Sequence, residues 1–196
     1  MKKICTLAFL LFLGGGFSVR AQLLGQIAET TQSLGISIPE VALLDIVSSV
    51  SKNINLGLVA PTRAGDPVGI PTAIDNLWLN YSSILPPLLT ARKVTIEFTG
   101  NVPPGLTVSV QAGNAQTTGG ILNGGLLAGA SSLLSLATTT SGPQTLLSGI
   151  GSGFTGFGVG NGHQLTYNLA IVSADYNLLT STSSSSLNVK YTMTDL

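Results

Sequence analysis

Lys93-Val94-Thr95-Ile96-Glu97-Phe98 places Val94, Ile96 and Phe98 on one side of an extended chain and Lys93, Thr95 and Glu97 on the other. A period of two is the spacing of a half-buried β-strand, whereas a helix built from these residues would scatter the three apolar side chains around its circumference. The pattern recurs on both sides of this stretch. Leu106, Val108 and Val110 alternate with Thr107 and Ser109; Leu165, Tyr167, Leu169 and Ile171 alternate through residues 164–172; and Leu187, Val189, Tyr191 and Met193 alternate near the C-terminus. Residues 36–46, 54–59, 77–84, 133–138 and 145–150 are further strand candidates.

Turn chemistry separates these segments: Pro61, Gly65 to Pro67, Pro86-Pro87, Pro103-Pro104-Gly105, Gly142-Pro143 and Asn161-Gly162. Short strands punctuated in this way predict an all-β fold, an Ig-like or jelly-roll-like antiparallel β-sandwich of about eight or nine strands with Gly-rich loops. Residues 113–160 carry 13 glycines. They read as hairpins and loops of the same sandwich or as a solenoid or fibre-forming insert, and the lack of a fixed repeat period counts against the solenoid.

The N-terminus carries its own signal. Lys2 and Lys3 precede an apolar run from Ile4 to Leu13, and Val19-Arg20-Ala21 ends in a small-x-small site, the layout of a secretory signal peptide over residues 1–21. The run is shorter than the roughly 20 residues a spanning helix needs. Residues 22–35 are expected to form an arm or a short helix, with Leu24, Ile27, Ala28 and Thr31 on one face, and residues 36–196 a single sandwich domain. The only cysteine, Cys5, leaves with the leader, so the expected mature chain has no thiol and must be held by its core.

Removing Lys2, Lys3 and Arg20 leaves five basic residues against all eight acidic ones, a net charge near −3. Nucleic acid and anionic membrane surfaces are disfavoured as partners, because both are recognised through clustered Lys and Arg. Charged residues are 8% of the chain, against about 25% in an ordinary soluble domain. A surface solvated by Ser, Thr, Asn and Gln leaves sheet edges poorly defended against pairing with another chain.

Catalytic chemistry has little to draw on. His163 is the sole histidine, so any Ser-His-Asp arrangement must use it, and its place after Asn161-Gly162 at the start of a strand reads as structural. No G-x-S-x-G elbow is present. One histidine cannot build a common zinc site, and Glu40, Asp45, Asp66, Asp75, Glu97 and Asp175 are too scattered to read as a calcium loop. The Gly149-Ile150-Gly151-Ser152-Gly153 fragment lacks the following helix that a phosphate loop needs. No cofactor or metal is expected. Aromatics that could stack on sugars are Trp78, Tyr81, Tyr167, Tyr176 and Tyr191. Trp78 lies on the strand face opposite Leu77, Leu79 and Tyr81, a position open to an outward or a core role.

Residues 38–46 (IPEVALLDI), Trp78-Leu79-Asn80-Tyr81, Val102-Pro103-Pro104-Gly105-Leu106 and the closing Val189-Lys190-Tyr191-Thr192-Met193-Thr194-Asp195 resemble a group of small secreted proteins of Bacteroidota. More distantly the chain is similar to fimbrial and spore-coat-U-type pilin-like sandwiches, which end in an alternating strand of the V-x-Y-x-x type. That resemblance implies an exported Ig-like sandwich assembled by strand exchange. The chain departs from it in lacking the disulfide such pilins carry.

Two functions are expected from different classes. One is an exported, periplasmic or cell-surface, non-enzymatic structural or adhesive subunit that pairs a strand with itself or with other surface subunits. The other is a carbohydrate- or ligand-binding module using Trp78, Tyr81 and Tyr176. Neither involves nucleic acid or membrane insertion.

Overall fold

The computed structural model describes residues 30–116, 124–125, 127–136, 142–181 and 185–196. The expected leader and most of the expected arm lie outside the described residues, as do the end of the 133–138 candidate and the centre of the glycine-rich region. The chain divides into two compact units, Met1–Ile38 and Pro39–Leu196, and the second is an antiparallel β-sandwich.

Its strands are β1 (Val41–Ser48), β2 (Ile74–Ile84), β3 (Arg92–Gly100), β4 (Leu106–Gln116), β5 (Gly124–Gly125), β6 (Leu134–Leu136), β7 (Gln144–Ile150), β8 (Gly153–Phe154), β9 (Gly162–Ile171) and β10 (Leu187–Asp195), with a 3₁₀ turn at Ser173–Leu178. β10, β3 and β7 form one sheet in that order, and the other seven strands form the second. In the larger sheet, residues 77–79 of β2 pair with β1 and with β9, while Ser82 and Ser83 pair with β1 and with β8. A strand has two hydrogen-bonding sides, so β8 continues the column that β9 starts. β4 pairs along β9, β5 along β8, and β6 closes the sheet beyond β4.

The core fills the space between the sheets. Leu77, Leu79 and Tyr81 of β2, Val108, Val110 and Ala112 of β4, and Leu165, Tyr167 and Leu169 of β9 meet Val94, Ile96 and Phe98 of β3 and Leu146, Leu147 and Ile150 of β7. Alternation thus locates the inner face of β3, β4 and β9, whereas on β7 the consecutive Leu146 and Leu147 are both buried. Alternation fails on two further elements. Residues 54–58 alternate, and Ile54, Leu56 and Leu58 do pack on the core, yet the segment joins no ladder; its backbone contact is an isolated bridge between Val59 and Gly69. A period of two reports which side chains point inward, and says nothing of whether a neighbouring backbone is in reach. The 36–46 candidate also starts late, because Pro39 has no N–H to give a ladder and pairing begins at Val41.

β2 is buried on both faces. Trp78 and Asn80 face away from the core, in register with Val47 and Asp45 of β1, but both are buried. The loop between β8 and β9 covers Asn80, whose Nδ2 donates to the carbonyls of Gly156 and Gly158 at 2.7 and 3.2 Å.

Among the described residues, polar side chains join the layers at Arg92 and at a tyrosine pair. Arg92, at the start of β3 and 2% exposed, donates from Nε to Asp195 Oδ1 of β10 at 2.8 Å and from Nη2 to Glu40 Oε1. Its Nη1 donates to the Val41 carbonyl of β1, and reaches Ser83 Oγ at 3.3 Å and the Ile84 carbonyl at 3.4 Å on β2. One guanidinium therefore ties both strands at one side of the larger sheet to the smaller sheet. Across the interior, the hydroxyls of Tyr167 on β9 and Tyr191 on β10 are hydrogen-bonded. Burial pushes the Tyr167 phenol up to about 12 despite that bond, and burial with the neighbouring phenol raises Tyr191 further.

Replacing Arg92 by Met is expected to destabilise the fold by about 3 kcal/mol in urea titrations, the lower end for breaking a buried ion pair because both carboxylates stay solvated. Arg92→Lys recovers little, since a single ammonium cannot serve the forked set of acceptors. The tyrosines predict an alkaline limit. An unfolded phenol ionises near pH 10 while the folded pair stays neutral, so stability is intact below about pH 10 and falls as pH rises toward the folded values. Absorbance of phenolate at high pH should appear together with loss of the β-sheet circular dichroism signal.

Candidate functional site

The smaller sheet ends at β7 and the larger at β6, and these two ends lie on the same side of the sandwich, since β7 packs near β4 while β10 packs near β1. Among the described residues, neither terminal strand has a strand on its outer side. Between them runs a groove of about 250 Å³, walled by residues 129–132 before β6 and by residues 145–148 of β7. Its walls are mostly polar, from serine and threonine hydroxyls and main chain.

The 129–132 wall is held by specific bonds. Ser131 N–H donates to the Ala112 carbonyl at 2.8 Å and Ala112 N–H to Ser131 Oγ at 2.8 Å. Gln111 Nε2 donates to the Ser131 carbonyl at 3.2 Å, and Ala130 N–H to Asn114 Oδ1 at 2.9 Å. Just before it, Ala128 N–H donates to Tyr81 Oη at 3.0 Å in the buried interior.

Tyr81 in turn is stacked on His163, with ring centroids 5.6 Å apart and planes at 21°. His163 has no solvent exposure, and its Nδ1 lies 2.7 Å from the Gly113 carbonyl. A carbonyl can only accept, so Nδ1 carries the proton and Nε2 accepts from Tyr81 Oη at 3.4 Å. Burial lowers the His163 pKa, with the Gly113 bond opposing it. Burial likewise raises that of Tyr81, against the bond from Ala128. The position of the imidazole depends on Gly162, at φ +78°, where a Cβ would come within 2.3 Å of the Leu79 carbonyl. Both ring nitrogens of His163 are thus engaged within the interior.

The strands that end the two sheets here carry no charged side chain. No Lys, Arg, Asp or Glu occurs in residues 98–174, which supply β4 to β9. The β1 and β10 side has Asp45 paired with Lys52 at 3.1 Å, Glu97 with Lys190 at 3.4 Å, and the Arg92 cluster. Charged side chains are the usual protection of an edge strand against a second chain, and the β6 and β7 edges have none. The charge-free stretch of residues 98–174 is a signal that the sequence reading missed, and composition alone does not reveal it.

The three aromatics named as ligand contacts do not form a platform. Trp78 is 8% exposed and Tyr81 3%, the first under cover on the outer face of β2 and the second in the core. Tyr176 is exposed in the 3₁₀ turn, where its hydroxyl accepts from Val68 N–H at 3.2 Å. The β8–β9 loop instead presents Phe157, 82% exposed, fixed by the Asn161 Nδ2 bond to its carbonyl at 2.8 Å. In the first unit, Leu34, Ile36 and Ile38 are all exposed, an alternating uncharged segment that joins no ladder among the described residues.

Comparison with protein-family models, with curated proteins and with solved structures gives no match to this chain. Tyr81→Phe is expected to cost about 1–3 kcal/mol, because it leaves the buried Ala128 N–H and His163 Nε2 without partners. Chemical denaturation of the variant checks the value.

Proposed function

We propose that the chain is an exported, non-enzymatic structural or adhesive subunit that associates by adding a strand to the β7 edge. The observation that carries this reading is an uncharged terminal strand beside an open polar groove, on a sandwich whose other side is guarded by ion pairs. Strand addition draws its affinity from main-chain hydrogen bonds and its register from alternate side chains. Residues 34–38 of a neighbouring copy have the right form, with Leu34, Ile36 and Ile38 on one side and Gly35 and Ser37 on the other. Export is supported by the Lys2-Lys3 pair, the apolar run and the Val19-Arg20-Ala21 site, and the pilin-like resemblance agrees with both parts. The glycan-binding alternative has weaker support, since two of its three aromatics are buried.

Light scattering coupled to size exclusion across a concentration series tests the proposal. The protein beginning at Gln22 should show concentration-dependent association, and Ser148→Lys on β7 or Ile36→Asp on the arm should abolish it. Both are surface changes expected to shift stability by less than about 0.5 kcal/mol. A strict monomer at every concentration, or association indifferent to both substitutions, sinks the reading.

A further inference from the structure

The wall of the groove at residues 129–132 is connected, through Ala128, to the one side chain of the chain whose ordinary titration falls between about pH 5 and 8. Ala128 N–H donates to Tyr81 Oη, and Tyr81 Oη–H donates to His163 Nε2. The hydroxyl's accepting and donating roles are both in use, and they link an edge segment of the larger sheet to an imidazole in the core.

We infer that protonation of His163 releases the 127–132 segment, so that the groove beside β7 opens in mild acid. A protonated Nε2 becomes a donor aimed at Tyr81 Oη, and the phenol proton loses its acceptor inside the core. A buried donor without a partner is costly, as is an imidazolium with no carboxylate beside it. Parting the Tyr81–Ala128 contact and admitting water relieves both.

The surrounding charges do not offset this. β4, β7, β8, β9 and the 127–132 segment contain no acid or base other than His163 and Tyr167, and the Tyr167 hydroxyl is bonded to Tyr191. From β2 the facing titratable group is Tyr81. From β1, Asp45 lies on the other face, in register with Asn80 and paired with Lys52. From β3, Arg92 faces inward but is held by Ser83, Glu40 and Asp195, while Glu97 pairs with Lys190 of β10, and Lys93 alternates away from the buried Arg92 and Val94.

The direction of linkage is set by the folded imidazole lying below its ordinary value. Above about pH 6.5 it is neutral in both closed and open forms and the opening equilibrium is flat. As pH falls below that, the open form binds the proton first, and opening rises up to tenfold per pH unit until the depressed folded value is passed. The inference concerns the regulation of the edge proposed above, and its consequence for association rests on that reading.

Amide hydrogen exchange of Ala128 and Ala130, read by NMR on the whole exported chain and corrected for intrinsic rates, measures the opening. Exchange should accelerate below pH 6.5 with the slope just given, and the His163 imidazole shifts should titrate with a midpoint below 6.5. In His163→Gln the slope should vanish. A flat wild-type profile, an imidazole midpoint at or above 6.5, or an unchanged slope in the variant overturns the inference, and if the variant does not fold the two wild-type measurements decide alone. Calorimetry with a synthetic peptide of residues 31–38 at about pH 7 and pH 5 separates the two proposals. No peptide binding at either pH, with the exchange slope intact, refutes strand addition and leaves the switch standing; peptide binding with a flat profile does the reverse.

Discussion

The Arg92 guanidinium is the point at which the two layers are tied through backbone and charge together. It leaves β3, crosses the interlayer space, and spends its donors on a carbonyl of β1, a hydroxyl and carbonyl of β2, and carboxylates at Glu40 and Asp195. A planar group with five donors suits such a set of acceptors. Because its partners come from both sheets, the relative position of the layers at that side is set by directional bonds as well as by apolar packing, which is non-directional.

The rest of the charge distribution follows the same division. Ion pairs flank β1, β3 and β10, whereas residues 98–174 have no charged side chain and build the other half of the sandwich. The interior of that half is fixed by neutral hydrogen bonds instead, from Tyr81 N–H to Thr155 Oγ1, from Ala128 N–H to Tyr81 Oη, from Tyr81 Oη–H to His163 Nε2, and from Asn80 Nδ2 to the Gly156 and Gly158 carbonyls. One consequence is stability without disulfides. A second is an edge at β6 and β7 that lacks the usual electrostatic protection.

Much of the strand inventory was legible because these strands bury one face. β3, β4, β9 and β10 appear where period two placed them, within a few residues, and β7 falls on the 145–150 candidate. β2 shows the limit: its Leu77, Leu79 and Tyr81 side was evident, but the cover over Trp78 and Asn80 was not, since the loop that lies on Asn80 is remote in sequence. The same distance hid the groove, whose walls are 129–132 and 145–148, and the relay from His163 to Ala128. Residues 54–58 show the reverse error, with strand-like side chains and no neighbouring backbone to pair.

The amino-acid order alone determined an antiparallel β fold and a surface nearly free of charge, because alternation and composition are properties of local sequence and need no knowledge of neighbours. It also placed the single histidine at a strand start after Asn161-Gly162. Only the tertiary structure decided that Trp78 and Tyr81 are covered, that His163 has both nitrogens occupied, and which strands end the sheets. Those are matters of which distant segments come together, and hydrogen bonding and burial between segments are set by the packing of the whole chain.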